Sequence, residues 1–216
     1  MKPGPDNHAA RIYLLPNLMT AGNLFCGFAA VLSILDAVIQ MNAGLNPAGQ
    51  IHTAIWFILG ACVFDLLDGR LARLGGNESS FGREFDSLAD IVSFGVAPAL
   101  LTFHIVLRDF DRYGMLIAFV YLACGALRLA RFNCLAAQRG EDAANKDFEG
   151  FPIPAAAGLI ASLTLLMLLL DAGEKTIGPW KFALPPLMLF LSFMMFSKVR
   201  YPSFKAVNWR TRRSIP

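Results

Sequence analysis

Residues 51–73 read IHTAIWFILGACVFDLLDGRLAR. Residues 51–64 carry no charge, and Asp65, Asp68, Arg70 and Arg73 then follow in quick succession. A helix needs about 20 apolar residues to cross a bilayer. The uncharged run is too short, so the charged turns must lie inside the membrane edge or just at it. The next apolar stretch shows the mirrored order: Gly82, Asp86 and Asp90 come first, and uncharged residues 91–107 follow. Both sets of acids therefore sit at a similar depth on one side of the membrane. Ionisable groups at that depth are costly to place and default to a functional role.

The composition agrees. The chain has 216 residues, enough for one domain over 1–216. Hydrophobic residues make up 56% and charged residues 16%, against about 25% charged in soluble proteins. That balance excludes a disordered chain, a disulfide scaffold and an ordinary water-soluble enzyme, and it implies an all-α integral membrane protein. Apolar runs near 14–39, 50–73, 87–107, 113–136, 153–171 and 182–199 predict six transmembrane helices. Between them, 41–50 reads as a turn, 75–83 and 139–150 as polar loops, and 171–181 carries Gly and Pro breakers. A polar segment, 1–13, and a basic tail, 200–216, flank the set. The polar start, with no convincing cleavage site after it, predicts no removable signal peptide. Cys26, Cys62, Cys124 and Cys134 fall in apolar runs without metal-type spacing, which predicts buried free thiols.

Lys and Arg set the orientation. Counted on alternate sides of six spans, Arg108, Arg112, Lys175 and Lys181 fall on one side and the other fifteen of the 19 on the opposite side. The positive-inside rule then puts both termini in the cytoplasm and the acids at the cytosolic face of the cytoplasmic membrane. Anionic lipid head groups should gather at this basic face. Membrane lipids are expected partners, and nucleic acid is not.

At about 100° per residue, Asp65, Asp68, Gly69, Ala72 and Arg73 share an arc of about 140°, and Gly82, Asp86 and Asp90 one of about 80°. Consecutive helices with a short connection are expected to pack side by side, which turns four carboxylates toward one another. Like charges this close in a poor solvent repel or take up protons unless a cation joins them. Hard oxygen donors suit a divalent ion, and Gly69, Ala72 and Gly82 leave room for a ligand to approach the backbone. The alternative is purely structural: Asp68 and Arg73 pair as ions while Gly and Ala serve close helix packing.

The run Asp65-x2-Asp68-Gly69-x2-Ala72-Arg73-x8-Gly82-x3-Asp86-x3-Asp90 resembles the signature of the CDP-alcohol phosphatidyltransferase family at all eight positions. The resemblance implies transfer of a phosphatidyl group from a CDP-linked lipid to an alcohol, with release of CMP. It also implies divalent metal, Mg2+ or Mn2+, with two ions expected, and a homodimer. By the same resemblance Asp65, Asp68 and Asp86 are metal ligands, and Asp90 is the general base, close enough to contact metal as well. Gly69, Ala72, Arg73 and Gly82 line the cytidine-diphosphate pocket. Elementary chemistry fits: a metal can neutralise a departing pyrophosphate charge, and a carboxylate can take the proton of an attacking hydroxyl.

Three further stretches concern the substrates. In 16–23, PNLMTAGN, Asn17 and Thr20 share a helix face and are candidates to hydrogen-bond the base or ribose; the alternative is Pro16 as helix starter and Asn17 as a local cap. Similar Pro-Asn-x-x-Thr segments lie beside the nucleotide in the resembled family. Arg128 and Arg131, with Gly125 on the same face, stand level with the acids. They bind an anionic substrate group or merely snorkel to the membrane edge. Residues 93–98, 148–154 and 201–205 are similar to the serine-using branch of the family, with Phe151 where Leu is commoner, and Ser93 is a candidate contact for acceptor or phosphate. The expected substrates are thus CDP-diacylglycerol and L-serine. The competing expectations are the same chemistry on glycerol 3-phosphate or an inositol phosphate, and a divalent-cation transporter. Transport needs polar access from both sides, and the outer halves of the spans hold almost no acids.

Overall fold

A backbone surrounded by lipid must satisfy its own hydrogen bonds, and a helix does so within one segment. The computed structural model describes residues 6–75, 80–139, 148–170, 182–197 and 200–201, and these are helical almost throughout. The order is α1 (Asp6–Asn42), α2 (Ala48–Gly75), α3 (Ser80–Asp90), a π-helical turn (Ile91–Val96) and α4 (Ala97–Ile105). A 3-10 turn (Leu107–Phe110), α5 (Asp111–Arg139), α6 (Ile153–Leu170) and α7 (Leu184–Phe196) follow. Strand β1 (Phe148–Glu149) pairs antiparallel with β2 (Arg200–Tyr201), tying the chain before α6 to the chain after α7.

Among the described residues, four stretches are long and apolar enough to cross a membrane: Asn17–Asn42, Ala48–Leu71, Phe81–Ile105 and Leu107–Leu135. Ile153–Leu169 and Leu184–Phe196 are shorter apolar helices. Phe25, Phe28, Trp56 and Phe193 point outward with more than half their surface exposed, as an integral membrane protein allows and a soluble one avoids. Four details differ from the expectations. Residues 80–83, read as loop, already belong to α3. The third apolar run is not one regular helix but is broken by the π turn. The turn after α1 is also shorter than 41–50: α1 runs to Asn42, Gly44 takes φ +70°, and Asn46 Oδ1 accepts the Ala48 N–H at 3.0 Å to start α2. Finally, the four cysteines are free but only Cys26 is buried; Cys62 and Cys124 are half-buried and Cys134 is exposed. The remaining loop and tail readings, at 1–5, 76–79, 140–147, 171–181 and 202–216, lie outside the described residues.

The main packing surface is α1 against α2, through Ala30, Ile34 and Ala37 on one helix and Ala54, Ile55, Ile58 and Ala61 on the other. α1 also packs on α3, the π turn and α4. Small residues permit this closeness. A Cβ at Gly22 would lie 2.9 Å from the Phe64 ring, and one at Gly27 would strike the Ser93 side chain and backbone. The expected flank-to-flank packing of α2 on α3 is replaced by this arrangement. Among the described residues the two helices make few backbone approaches, and α1 is their common wall. Acids from both helices nonetheless meet, with oxygens of Asp65, Asp68 and Asp86 within 4.8 Å of one another.

The π turn has a sequence cause. Pro98 has no N–H, so it cannot donate to the carbonyl of Phe94 four residues earlier, and its ring crowds that carbonyl. The freed Phe94 carbonyl accepts the Tyr121 hydroxyl of α5 at 2.9 Å, both groups being fully buried. Tyr121→Phe keeps the ring and removes only this donor. An unsatisfied buried acceptor costs about 1–3 kcal/mol, so the variant should unfold at a lower temperature in detergent than the native chain. An unchanged midpoint would show that the carbonyl finds another donor.

Candidate active site

Asp65 and Asp68 project from the last turns of α2, and Asp86 and Asp90 from α3. One carboxylate oxygen from each of Asp65, Asp68 and Asp86 lies within 4.8 Å of the other two. Asp68 is buried, and Asp65 and Asp86 are half-buried. Asp90, also buried, does not join that group of three, although it interacts electrostatically with each of them. Such a ring of hard oxygens fits a divalent cation by the chemistry of its donors: no sulfur or imidazole enters it.

α1 supplies the polar wall. Thr20 Oγ1 donates to Asp68 Oδ2 at 3.0 Å, and Asn23 Nδ2 donates to Asp90 Oδ1 at 3.0 Å. Both side chains are buried. The Ser93 hydroxyl, one residue pair into the π turn, donates to the backbone carbonyl of Asn23 at 2.9 Å. Ser93 thus stands in the wall behind Asp90, fully buried. Asn17 lies one turn before Thr20, half-buried. Gly69 and Gly82 are half-buried beside the acids, while Ala72 and Arg73 continue α2 with side chains outside the described part.

From α5, Arg128 is half-buried and its Nε is buried without a hydrogen-bond partner among the described residues. It lies in electrostatic reach of Asp90 and Asp65, with Arg131 as its cationic neighbour. Gly125, one turn earlier, leaves room for the start of α6: a Cβ there would lie 2.6 Å from Ile153 Cδ1. The stretch before α6 is held in place as well. Gly150 takes φ +84° against the Met195 carbonyl, and the Phe151 N–H donates to the Met194 carbonyl at 3.1 Å. Farther out, Asn133 Nδ2 donates to Glu84 Oε2 and Ser87 Oγ, joining α5 to α3.

The structure therefore brings Asp65, Asp68, Asp86, Asp90, Thr20 and Arg128 into one site. Sequence reasoning missed Asn23, although it stands three residues after Thr20 in the same quoted run. Its signal was available: polar residues at 17, 20 and 23 repeat every three positions on an otherwise apolar helix.

The result is a carboxylate cluster that could hold a divalent cation, walled by hydrogen-bond donors and approached by the half-buried Arg128. The chain belongs to the CDP-alcohol phosphatidyltransferase family, whose model matches residues 13–196. It is 39% identical over 205 residues to a protein of Helicobacter pylori (strain J99) named CDP-diacylglycerol–serine O-phosphatidyltransferase, covering 94% of this chain and 78% of that one. A Bacillus subtilis protein of the same name is 36% identical, over 88% of this chain and 91% of its own length. An archaetidylserine synthase of Methanothermobacter thermautotrophicus is 32% identical, over 91% and 73%.

The geometry separates the two arginines. A charge-assisted hydrogen bond contributes about 1.5–3 kcal/mol, so Arg128→Ala should raise the Michaelis constant of an anionic substrate roughly tenfold or more. Arg131→Ala should raise it less. Steady-state kinetics on both variants, with membrane insertion checked, decides this; unchanged constants in both would leave the arginines a topological role alone.

Proposed function

We propose that this chain transfers the phosphatidyl group of CDP-diacylglycerol to L-serine, giving phosphatidylserine and CMP. The observation that carries the reading is the division of the acids into a group of three and a fourth, Asp90, held apart by its own donor. The three relatives above all have serine in their names, which supports the acceptor. Two divalent ions, Mg2+ or Mn2+, held by Asp65, Asp68 and Asp86, would supply positive charge to the pyrophosphate as CMP departs.

The chain's own residues do the rest. Thr20 orients Asp68 through its hydroxyl. Asn17, Gly69, Ala72, Arg73 and Gly82 hold the CDP-lipid, whose tails stay in the bilayer. Asp90 takes the proton of the serine hydroxyl as its oxygen bonds to the phosphatidyl phosphorus and the bond from that phosphorus to CMP breaks. Arg128, with Arg131, pairs with an anionic group of a substrate, and Ser93 backs the wall on that side. In this reading α6 and α7 also cross the inner membrane, making six spans with both termini in the cytoplasm, because most Lys and Arg then fall on that side. The active site faces the cytosol, where serine is dissolved, and the enzyme works as a homodimer.

CMP release from CDP-diacylglycerol should require L-serine and a divalent ion, and a chelator should abolish it. Faster turnover with glycerol 3-phosphate or inositol phosphate, and none with serine, would overturn the acceptor while leaving the family intact.

The acids should behave differently from one another. Asp65→Asn, Asp68→Asn and Asp86→Asn each remove charge that the cation needs, so CDP-lipid binding and turnover should fall together. Asp90→Asn should bind CDP-diacylglycerol but lose about 10²–10⁴-fold in rate, the usual contribution of a general base. Near-normal turnover in Asp90→Asn would remove it from that role, and lost lipid binding would make it chiefly a ligand.

A further inference from the structure

Asn23 is fully buried on α1, and the chemistry above gives it no task. Its Nδ2 donates to Asp90 Oδ1 at 3.0 Å, and its backbone carbonyl accepts the Ser93 hydroxyl at 2.9 Å. Its own Oδ1 is buried and has no hydrogen-bond partner among the described residues. A buried acceptor left unsatisfied is destabilising, and leucine, of similar size, would fill this position without that penalty. What asparagine adds is a donor aimed at the carboxylate. Asn23 has no exposed surface, and its side chain meets the site through Asp90.

We infer that Asn23 is a positioning residue that holds Asp90 by one carboxylate oxygen, Oδ1, and so presents the other, Oδ2, to the acceptor hydroxyl. The inference rests on the reading of Asp90 as general base. Two features make the hold rigid. Gly27, one turn after Asn23, lets α1 approach until it meets Ser93, and the Ser93 hydroxyl then pins the Asn23 backbone. Asp90 is the last residue of α3, and the π turn begins at the next one. The Asp90 backbone is regular helix and its carboxylate makes no cap bond to the π turn, so the contact from Asn23 is what sets the carboxylate's orientation. Without the amide, Asp90 could rotate toward the group formed by Asp65, Asp68 and Asp86 and cease to face the acceptor.

The test uses the full chain in detergent or liposomes. Asn23→Leu should keep its binding of CDP-diacylglycerol; its thermal midpoint should fall, as Asp90 loses a donor, so folding is checked at the assay temperature. Its kcat should fall on the order of 10²-fold, as misplacing a reacting group does. Both Michaelis constants should stay within about twofold, because the interaction lost matters only in the transition state. Added to Asp90→Asn, Asn23→Leu should slow turnover no further, since residues that act as a unit are not additive. Ser93→Ala loosens the same hold without touching the amide and should give a smaller fall in kcat; it carries the test if Asn23→Leu does not fold. Normal kcat in both variants, or raised Michaelis constants with kcat unchanged, would overturn the inference. So would an equal loss from Asn23→Leu in the native and Asp90→Asn backgrounds, which would leave Asp90 as base and remove only the role of Asn23. Normal turnover in Asp90→Asn would instead sink the reading on which the inference stands.

Discussion

Three carboxylate groups with oxygens within 4.8 Å of one another, at the edge of a medium that solvates charge poorly, set the terms for the rest of this structure. At an effective dielectric of about 20, each such pair repels by roughly 3–4 kcal/mol. Three pairs reach about 10 kcal/mol, comparable to the whole stability of an ordinary domain. The hydrogen bond from Thr20 to Asp68 offsets only about 1.5–3 kcal/mol of it. Further partners, bound protons or added positive charge offset the rest. Arg128 provides part, from a half-buried place near Asp65 and Asp90; a bound divalent cation is suited to provide the remainder.

The packing around the acids is set by α1. Helices α2 and α3 carry the acids on their facing sides and do not close along their flanks; α1 takes the place of that contact. It can do so because Gly22 and Gly27 present no side chain where Phe64 and Ser93 come nearest. Close approach in turn puts two short polar side chains, Thr20 and Asn23, within hydrogen-bond distance of Asp68 and Asp90. Glycine spacing, helix approach and carboxylate orientation are thus one chain of causes, ending in chemistry.

A second chain of causes starts at Pro98. Its missing N–H and its ring disturb the helix just beyond Asp90, and the disturbed carbonyl of Phe94 is taken by Tyr121 from α5. That bond ties the acid-bearing segment to the helix that carries Arg128 and Arg131. The start of α6 seats against Gly125 on the same helix, so the cationic side of the site is braced from two directions.

Much of this was legible in the residues alone. An uncharged run too short to span, ending in Asp65 and Asp68 and mirrored by Asp86 and Asp90, was enough to predict a cluster of acids, and Asp65, Asp68 and Asp86 do meet within 4.8 Å. Helix periodicity put those acids on common faces, and the spacing of eight residues carried the family. These are local or composition-level properties, and the chain's own order contains them. What only the tertiary structure decided was which neighbours those acids have. That α1, not α3, packs along α2, that the third apolar run breaks after Asp90, and that Asn23 meets Asp90 across 67 residues of sequence all depend on contacts between distant segments. A buried asparagine on an apolar helix announces that it needs a partner; nothing in its neighbours along the chain says which, because the partner is chosen by how closely two helices can approach.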